Sequence, residues 1–104
     1  MEQRVFKRFR RRLPIYYRRL DQEGYTKSES KDVSEGGLRL VLKNPESIER
    51  VLQCKLLMPI GHDIVDFLGK VTWLKKGAPE CEAGIEVMDL GTDYGDRIRT
   101  LFRE

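Results

Sequence analysis

Asp32-Val33-Ser34-Glu35-Gly36-Gly37-Leu38-Arg39-Leu40-Val41-Leu42 is a polar glycine turn that runs straight into a strand. Leu38, Leu40 and Leu42 alternate with Arg39, Val41 and Lys43, the period-two pattern of a strand with one core face. Asp32 and Ser34 are short side chains that bond nearby backbone and fix turns. Gly36 and Gly37 permit positive φ or the close approach of another body. Short strands and turns continue on both sides. Upstream, Leu13-Pro14-Ile15-Tyr16-Tyr17-Arg18-Arg19-Leu20 begins a strand with Leu13, Ile15 and Tyr17 on one face, and Pro14 suits a strand start. Residues 21–24 form a turn, and the polar residues 25–31 predict an exposed second strand that ends at the glycine turn. Downstream, Asn44-Pro45-Glu46 breaks the chain, and residues 47–52 are a loop or one helical turn. Cys54, Leu56 and Met58 alternate again. Residues 64–74 predict a long strand, with Val65, Phe67, Val71 and Trp73 mostly in step and Gly69 at a bulge or bend. Trp73 then falls in the core or at its rim. Cys81, Ala83, Ile85 and Val87 share a face. Strands this short and turns this frequent predict an antiparallel sandwich or barrel.

Residues 92–103 predict a closing helix. Thr92 is its N-cap, Asp93 and Asp96 sit in its positive first turn, and Tyr94, Ile98, Leu101 and Phe102 make one apolar stripe that docks on the sheet. With 104 residues, 39% hydrophobic and 36% charged, the chain fits a single domain with a thin core. Its charge is divided unevenly. Residues 1–19 carry eight basic groups against Glu2, a charge of +7, while the other 85 residues carry 12 basic and 16 acidic groups, a charge of −4. A basic arm, residues 1–12, thus precedes a mildly acidic body, which points to an anionic partner or to a solvated tail resting on the body.

Several classes are excluded by what is missing. No apolar run approaches the roughly 20 residues of a membrane helix. The N-terminal charges have no apolar stretch behind them, so a secretory signal is not expected and a cytoplasmic location is. Cys54 and Cys81 are far apart and His62 is the single histidine, so no metal site is expected and both cysteines read as buried free thiols. His62, in a Gly-His-Asp turn, has no nucleophile paired with it. Ser34 lacks the elbow and base a nucleophile needs, and there is neither a P-loop nor a Rossmann fingerprint. An enzyme is therefore not expected, and no cofactor is.

The turn and the arm have complementary chemistry. A carboxylate such as Asp32 accepts two hydrogen bonds from the Watson–Crick edge of guanine, while a serine hydroxyl and free backbone N–H groups reach phosphate oxygens. Arginine binds phosphate bidentately and stacks on bases. Arg4 and Arg8, four apart, share a face if the arm is helical and bracket a ligand if it is extended; Arg8 and Arg12 have the same spacing.

Arg4-x-x-x-Arg8, followed after an Ile/Tyr strand by Asp32-x-Ser34-x-x-Gly37, resembles the two motifs of the PilZ domain, a family that binds the bacterial second messenger cyclic di-GMP. The likeness covers nearly the whole chain. Leu13-Pro14-Ile15-Tyr16-Tyr17 looks like the family's first strand, and Gly36-Gly37-Leu38-Arg39-Leu40 like the strand after its second motif. Gly69-Lys70-Val71-Thr72-Trp73 and Ala83-Gly84-Ile85-Glu86-Val87 look like later strands. The resemblance implies a mainly β fold: a six-stranded antiparallel split barrel (residues 13–88) between a flexible basic arm (1–12) and a C-terminal helix (92–103). In the family the second motif arginine lies about five residues before the first strand, which selects Arg4 and Arg8 over Arg8 and Arg12. An arginine often found just before the first is replaced here by Gln3.

By that resemblance Arg4 and Arg8 would contact guanine and phosphate, Asp32 a guanine edge, and Ser34 a base or phosphate, with Gly37 keeping the turn open. Lys7, Arg12, Gly36 and Arg39 are further candidates. The implied function is a receptor whose arm orders over cyclic di-GMP and so changes a surface for a downstream protein. Two alternatives stay open: an adaptor of the same fold that binds no nucleotide, and a small barrel that binds RNA or DNA through the basic arm.

Overall fold

The computed structural model describes residues 7–59, 61, 63–77, 80–88 and 93–102. Six strands run in chain order: β1 Pro14–Arg19, β2 Thr26–Ser34, β3 Gly37–Leu42, β4 Val51–Leu57, β5 Ile64–Lys75 and β6 Cys81–Val87. A helix, α1 Tyr94–Leu101, follows. Every pairing is antiparallel, and the spatial order β1-β2-β3-β6-β5-β4 closes through β4 onto β1. Closure leaves no strand edge among the six, which suits a chain this small and this charged.

The interior is the expected set. Leu13, Ile15 and Tyr17 from the first strand region, Leu38, Leu40 and Leu42 from β3, and Leu52, Cys54 and Leu56 from β4 all point inward with Val65, Phe67, Val71, Ala83 and Ile85. Cys54 is a buried free thiol, but Cys81 is only half-buried.

Two elements, β2 and β5, differ from expectation, each for a local reason. β2 is not exposed: its inward positions are Ser28 and Ser30, both buried. Their hydroxyls are spent on backbone, Ser28 Oγ donating to Val41 O at 2.6 Å and Ser30 Oγ to Arg11 O at 2.6 Å. A serine that returns its hydroxyl to the main chain fills a core position without leaving a polar group unpaired. β2 also runs on to Ser34, so Asp32, Val33 and Ser34 are strand residues and the turn itself is Glu35-Gly36. In β5 the register shift against β6 lies between Val71 and Trp73, not at Gly69. That extra residue turns Trp73 to the outside, where it is 36% exposed.

α1 packs on β5 and β2, at the barrel end where β2 turns into β3. Tyr94 and Ile98 are fully buried, with Leu101 and Phe102 packed at the margin of the core. The Tyr94 ring meets Phe67 at 4.8 Å and its hydroxyl donates to Gly37 O at 2.9 Å. Burial pushes the Tyr94 hydroxyl well above the usual tyrosine range, so it remains a donor. Asp93 occupies the N-cap position without a side-chain cap bond; Thr92 lies outside the described residues, as do Arg103 and His62.

Candidate functional site

The arm is held against β2. Phe9 N–H donates to Val33 O at 2.8 Å and Val33 N–H to Phe9 O at 2.9 Å, a single antiparallel pair beyond the start of β1. That pair sets Arg8 beside Asp32. Between Ser30 and Asp32 the register of β2 against β3 shifts by one, with Lys31 as the extra residue. The shift puts Val33 in the core opposite Leu38 and turns Asp32 outward, opposite Arg39.

Asp32 is therefore gripped from both sides. Arg8 Nη1 donates to Oδ1 at 2.7 Å, and Arg39 Nε lies 3.1 Å from Oδ2. The carboxylate side chain is 10% exposed while Arg8 is 57% exposed. The Arg39 contact is close but poorly directed, and its Nε makes no well-formed hydrogen bond. Arg39 Nη1 also approaches Glu82 at 3.5 Å, and Lys31 Nζ bonds the other oxygen of Glu82 at 2.7 Å. Lys31, with Arg39 beyond it, holds the Glu82 carboxyl below the usual carboxylate range.

The remaining candidates fall in different places. Arg12 pairs with Glu29, away from Asp32. Lys7 lies over the Phe9 ring, 5.5 Å from its centre. Ser34 is only 4% exposed and its hydroxyl donates to Gly37 O at 3.3 Å. Gly37 is buried in the β3–β6 pairing, where a Cβ would collide with the carbonyl oxygen of Ile85; its glycine has a packing reason independent of any ligand. Positive φ among the described glycines occurs at Gly24 and Gly61, so the turn does not rest on it. Gly36 accepts the Val87 N–H at its carbonyl, 2.9 Å. Arg4 lies outside the described residues.

Pairing across four strands reveals what the linear motifs do not. Asp32 on β2 faces Arg39 on β3, Arg39 faces Gly84 on β6, and Gly84 faces Trp73 on β5. The Trp73 indole lies across Gly84, where a Cβ would strike it. One outer strip thus offers a carboxylate, a guanidinium and an exposed indole. A glycine inside the strand Cys81-Glu82-Ala83-Gly84-Ile85 was the available signal, since it marks close approach of another group. Two contacts tie this region to α1. Phe9 stacks on Phe102 with ring centres 3.8 Å apart and planes at 1°, and Arg99 bonds Glu35 of the turn at 2.9 Å.

Among the described residues no cluster of three His, Cys, Asp or Glu could hold a metal ion, and no helix is long and apolar enough to cross a membrane. A family model described as the PilZ domain matches residues 2–104. The fold is similar to the PilZ domain of YcgR from Escherichia coli, solved with c-di-GMP, at 12% identity and a TM-score of 0.73, covering 97% of this chain and 90% of that one. It is also similar to a K. pneumonia MrkH–c-di-GMP complex, at 19% identity and a TM-score of 0.74, covering 97% and 50%. A third likeness is to the Bacillus subtilis inhibitor of motility MotI/DgrA, at 14% identity and a TM-score of 0.72, covering 100% and 55%. The chain spans about half the length of these last two structures. No curated protein matches it. At such identities the solved structures speak for the fold, and the family match spans almost every residue: the chain belongs to the PilZ domain family.

Proposed function

We propose that the chain is a non-enzymatic receptor for cyclic di-GMP and that the ligand binds by exchanging ion pairs at Asp32. The observation that carries this reading is the grip of Arg8 and Arg39 on a nearly buried carboxylate, at 2.7 and 3.1 Å. A guanine edge offers N1–H and N2–H to replace the Arg8 donor. Arg8, released into solvent, then meets a ligand phosphate, so neither charge is left unpaired at either end of the exchange. Arg4 joins it from the arm, and Trp73 and Arg39 lie on the strip a base would cover. Cyclic di-GMP complexes among the structural relatives support the choice of ligand.

The output follows from where the arm is anchored. Movement of Arg8 pulls on Phe9, the next residue, and Phe9 is stacked on Phe102 at the end of α1. Ligand binding would therefore alter the face made by the arm and α1, which is the surface offered to a downstream protein. A second reading has its own support: Asp32, Arg39, Glu82 and Lys31 already balance one another's charge in a chain of ion pairs, as a purely structural network in a protein-binding adaptor would.

Titration calorimetry of the full chain with cyclic di-GMP, beside GTP and single-stranded RNA, separates these readings. The receptor reading expects binding to cyclic di-GMP that Asp32→Ala weakens by about 10–100-fold, a net loss equivalent to one charge-assisted bond of about 1.5–3 kcal/mol. No heat and no rise in melting temperature with excess cyclic di-GMP would leave the adaptor reading standing.

A further inference from the structure

We propose that Arg10, Arg11 and Arg12, with Lys31 and Arg39, form a second anion site that takes a phosphate group and is separate from the Arg8–Asp32 pair. The site is made by a mismatch in chain length. Between the Phe9–Val33 pair and the Leu13–Ser30 hydrogen bond, the arm has three residues where β2 has two, Lys31 and Asp32. Both chains bulge, and Ser30 fixes the shape of the bulge. Fully buried, its hydroxyl accepts from Leu13 N–H at 2.9 Å and donates to Arg11 O at 2.6 Å. A run of arginines in a solvated tail has no fixed backbone; here a core serine pins the main chain at Arg11 so that all three residues border one pocket.

That open pocket, of about 360 Å³, is lined by Arg10, Arg11, Arg12, Lys31 and Arg39, all cations. The carboxylates beside it are not part of the lining but pair with cations that are: Glu82 with Lys31 and Arg39, Asp32 with Arg39, and Glu29 with Arg12. Arg10 and Arg11 make no ion pair among the described residues. Five cations against three carboxylates leave an excess of two positive charges, which one phosphomonoester dianion or the two monoanionic phosphodiesters of a cyclic dinucleotide balance. Guanidinium forks match phosphate oxygens in pairs, and the pocket is at the small end of the roughly 300–1,000 Å³ range of ligand sites. That volume suits one phosphate group and part of its carrier rather than a polymer. The carrier is either the dinucleotide held at Asp32 or a separate phosphate compound.

The test uses the full chain and pyrophosphate, and so stands or falls independently of cyclic di-GMP binding. Calorimetry at low ionic strength should give one-site binding, weakened about 10–100-fold in R10A/R11A by the loss of two charge-assisted contacts. K55A/K70A removes the same charge from β4 and β5 and should leave the affinity within about twofold, well under 1 kcal/mol. Absence of pyrophosphate binding to the unmodified chain, or equal weakening in the two double variants, overturns the proposal. Melting curves confirm that both variants fold. Saturating cyclic di-GMP then distinguishes the sources. Displacement of pyrophosphate assigns the pocket to the dinucleotide's own phosphate, and simultaneous binding assigns it to a separate compound; either result supports the site.

Discussion

Arg8→Ala separates ligand binding from stability more cleanly than any other substitution in the site. In the free protein Arg8 is 57% exposed and makes one bond to Asp32, at 2.7 Å. An ion pair so open to water contributes about 0.2–1 kcal/mol. Removing it should therefore lower the melting temperature by about 1–8 °C, at about 4–8 °C per kcal/mol for a domain near this size. Arg39 still pairs with Asp32 in the variant, so the carboxylate is not stranded. The effect on binding has two opposed parts. The variant loses a charge-assisted bond to ligand phosphate, about 1.5–3 kcal/mol, but no longer has to break the Arg8–Asp32 pair, a gain of about 0.2–1 kcal/mol. The net loss is about 0.5–2.8 kcal/mol, or about 2- to 100-fold in affinity. Calorimetry with cyclic di-GMP and thermal melting read the two quantities on one preparation. Undiminished affinity would refute the exchange mechanism. A fall in stability well beyond 1 kcal/mol would show that Arg8 is a structural clamp and not a displaceable one.

Gly37→Ala places a methyl against the Ile85 carbonyl inside the β3–β6 pairing. It should destabilise the fold by about 1–3 kcal/mol or more, seen as a lower melting temperature even without ligand; an unchanged melt would return Gly37 to a ligand role alone. Phe9→Ala removes the Phe102 stack and should lower stability by about 0.5–1.5 kcal/mol beyond the lost burial, with faster amide exchange in α1 as the specific mark. Burial pushes the Cys54 thiol from 9.0 up to about 12, so the protonated thiol is the form the fold holds. Its contribution is whole below pH 9 and is lost as pH rises toward 12, by about 1.4 kcal/mol per unit, so alkaline melts of Cys54→Ala should fall less steeply in that window than those of the parent.

Alternation alone located β3, β4 and β6, because Leu38, Leu40 and Leu42, then Cys54 and Leu56, then Ala83 and Ile85 all turned inward. β2 was misread as exposed since its core residues are Ser28 and Ser30. Polarity is a poor guide where a hydroxyl bonds backbone 13 or 19 residues away in sequence, as with Val41 and Arg11. The Trp73 flip was hidden for a different reason. A bulge is a property of two strands together, and nothing in residues 71–73 states which partner residue they will face. The site shows the same division. Arg8 and Asp32 were legible as motif residues, and the structure brings them into contact. Lys31, Glu82 and Trp73 carry no linear pattern and join the strip only through register with β3 and β6.

That dependence on register accounts for a carboxylate that is nearly buried yet paired from a strand on one side and from the arm on the other. Asp32 is kept from water by its position, since the one-residue shift at Lys31 turns it onto the outer wall between the arm and Arg39. Its charge is balanced twice, once by Arg39 from a strand fixed on both sides and once by Arg8 from an arm held at this point by the Phe9–Val33 bonds. Removing the fixed partner would leave Oδ2 without its cation, whereas exchanging the arm partner for a guanine edge would keep both oxygens engaged. The cheaper of the two moves is thus the one that also displaces Phe9 from Phe102. On the proposed exchange, a ligand with donors for Asp32 and phosphates for Arg8 would use that move, and a simple anion would not: it would satisfy Arg8 while leaving Asp32 one donor short. Coupling between ligand and α1 should accordingly require base and phosphate in one molecule, and GMP and pyrophosphate added separately should leave amide exchange in α1 unchanged where cyclic di-GMP alters it.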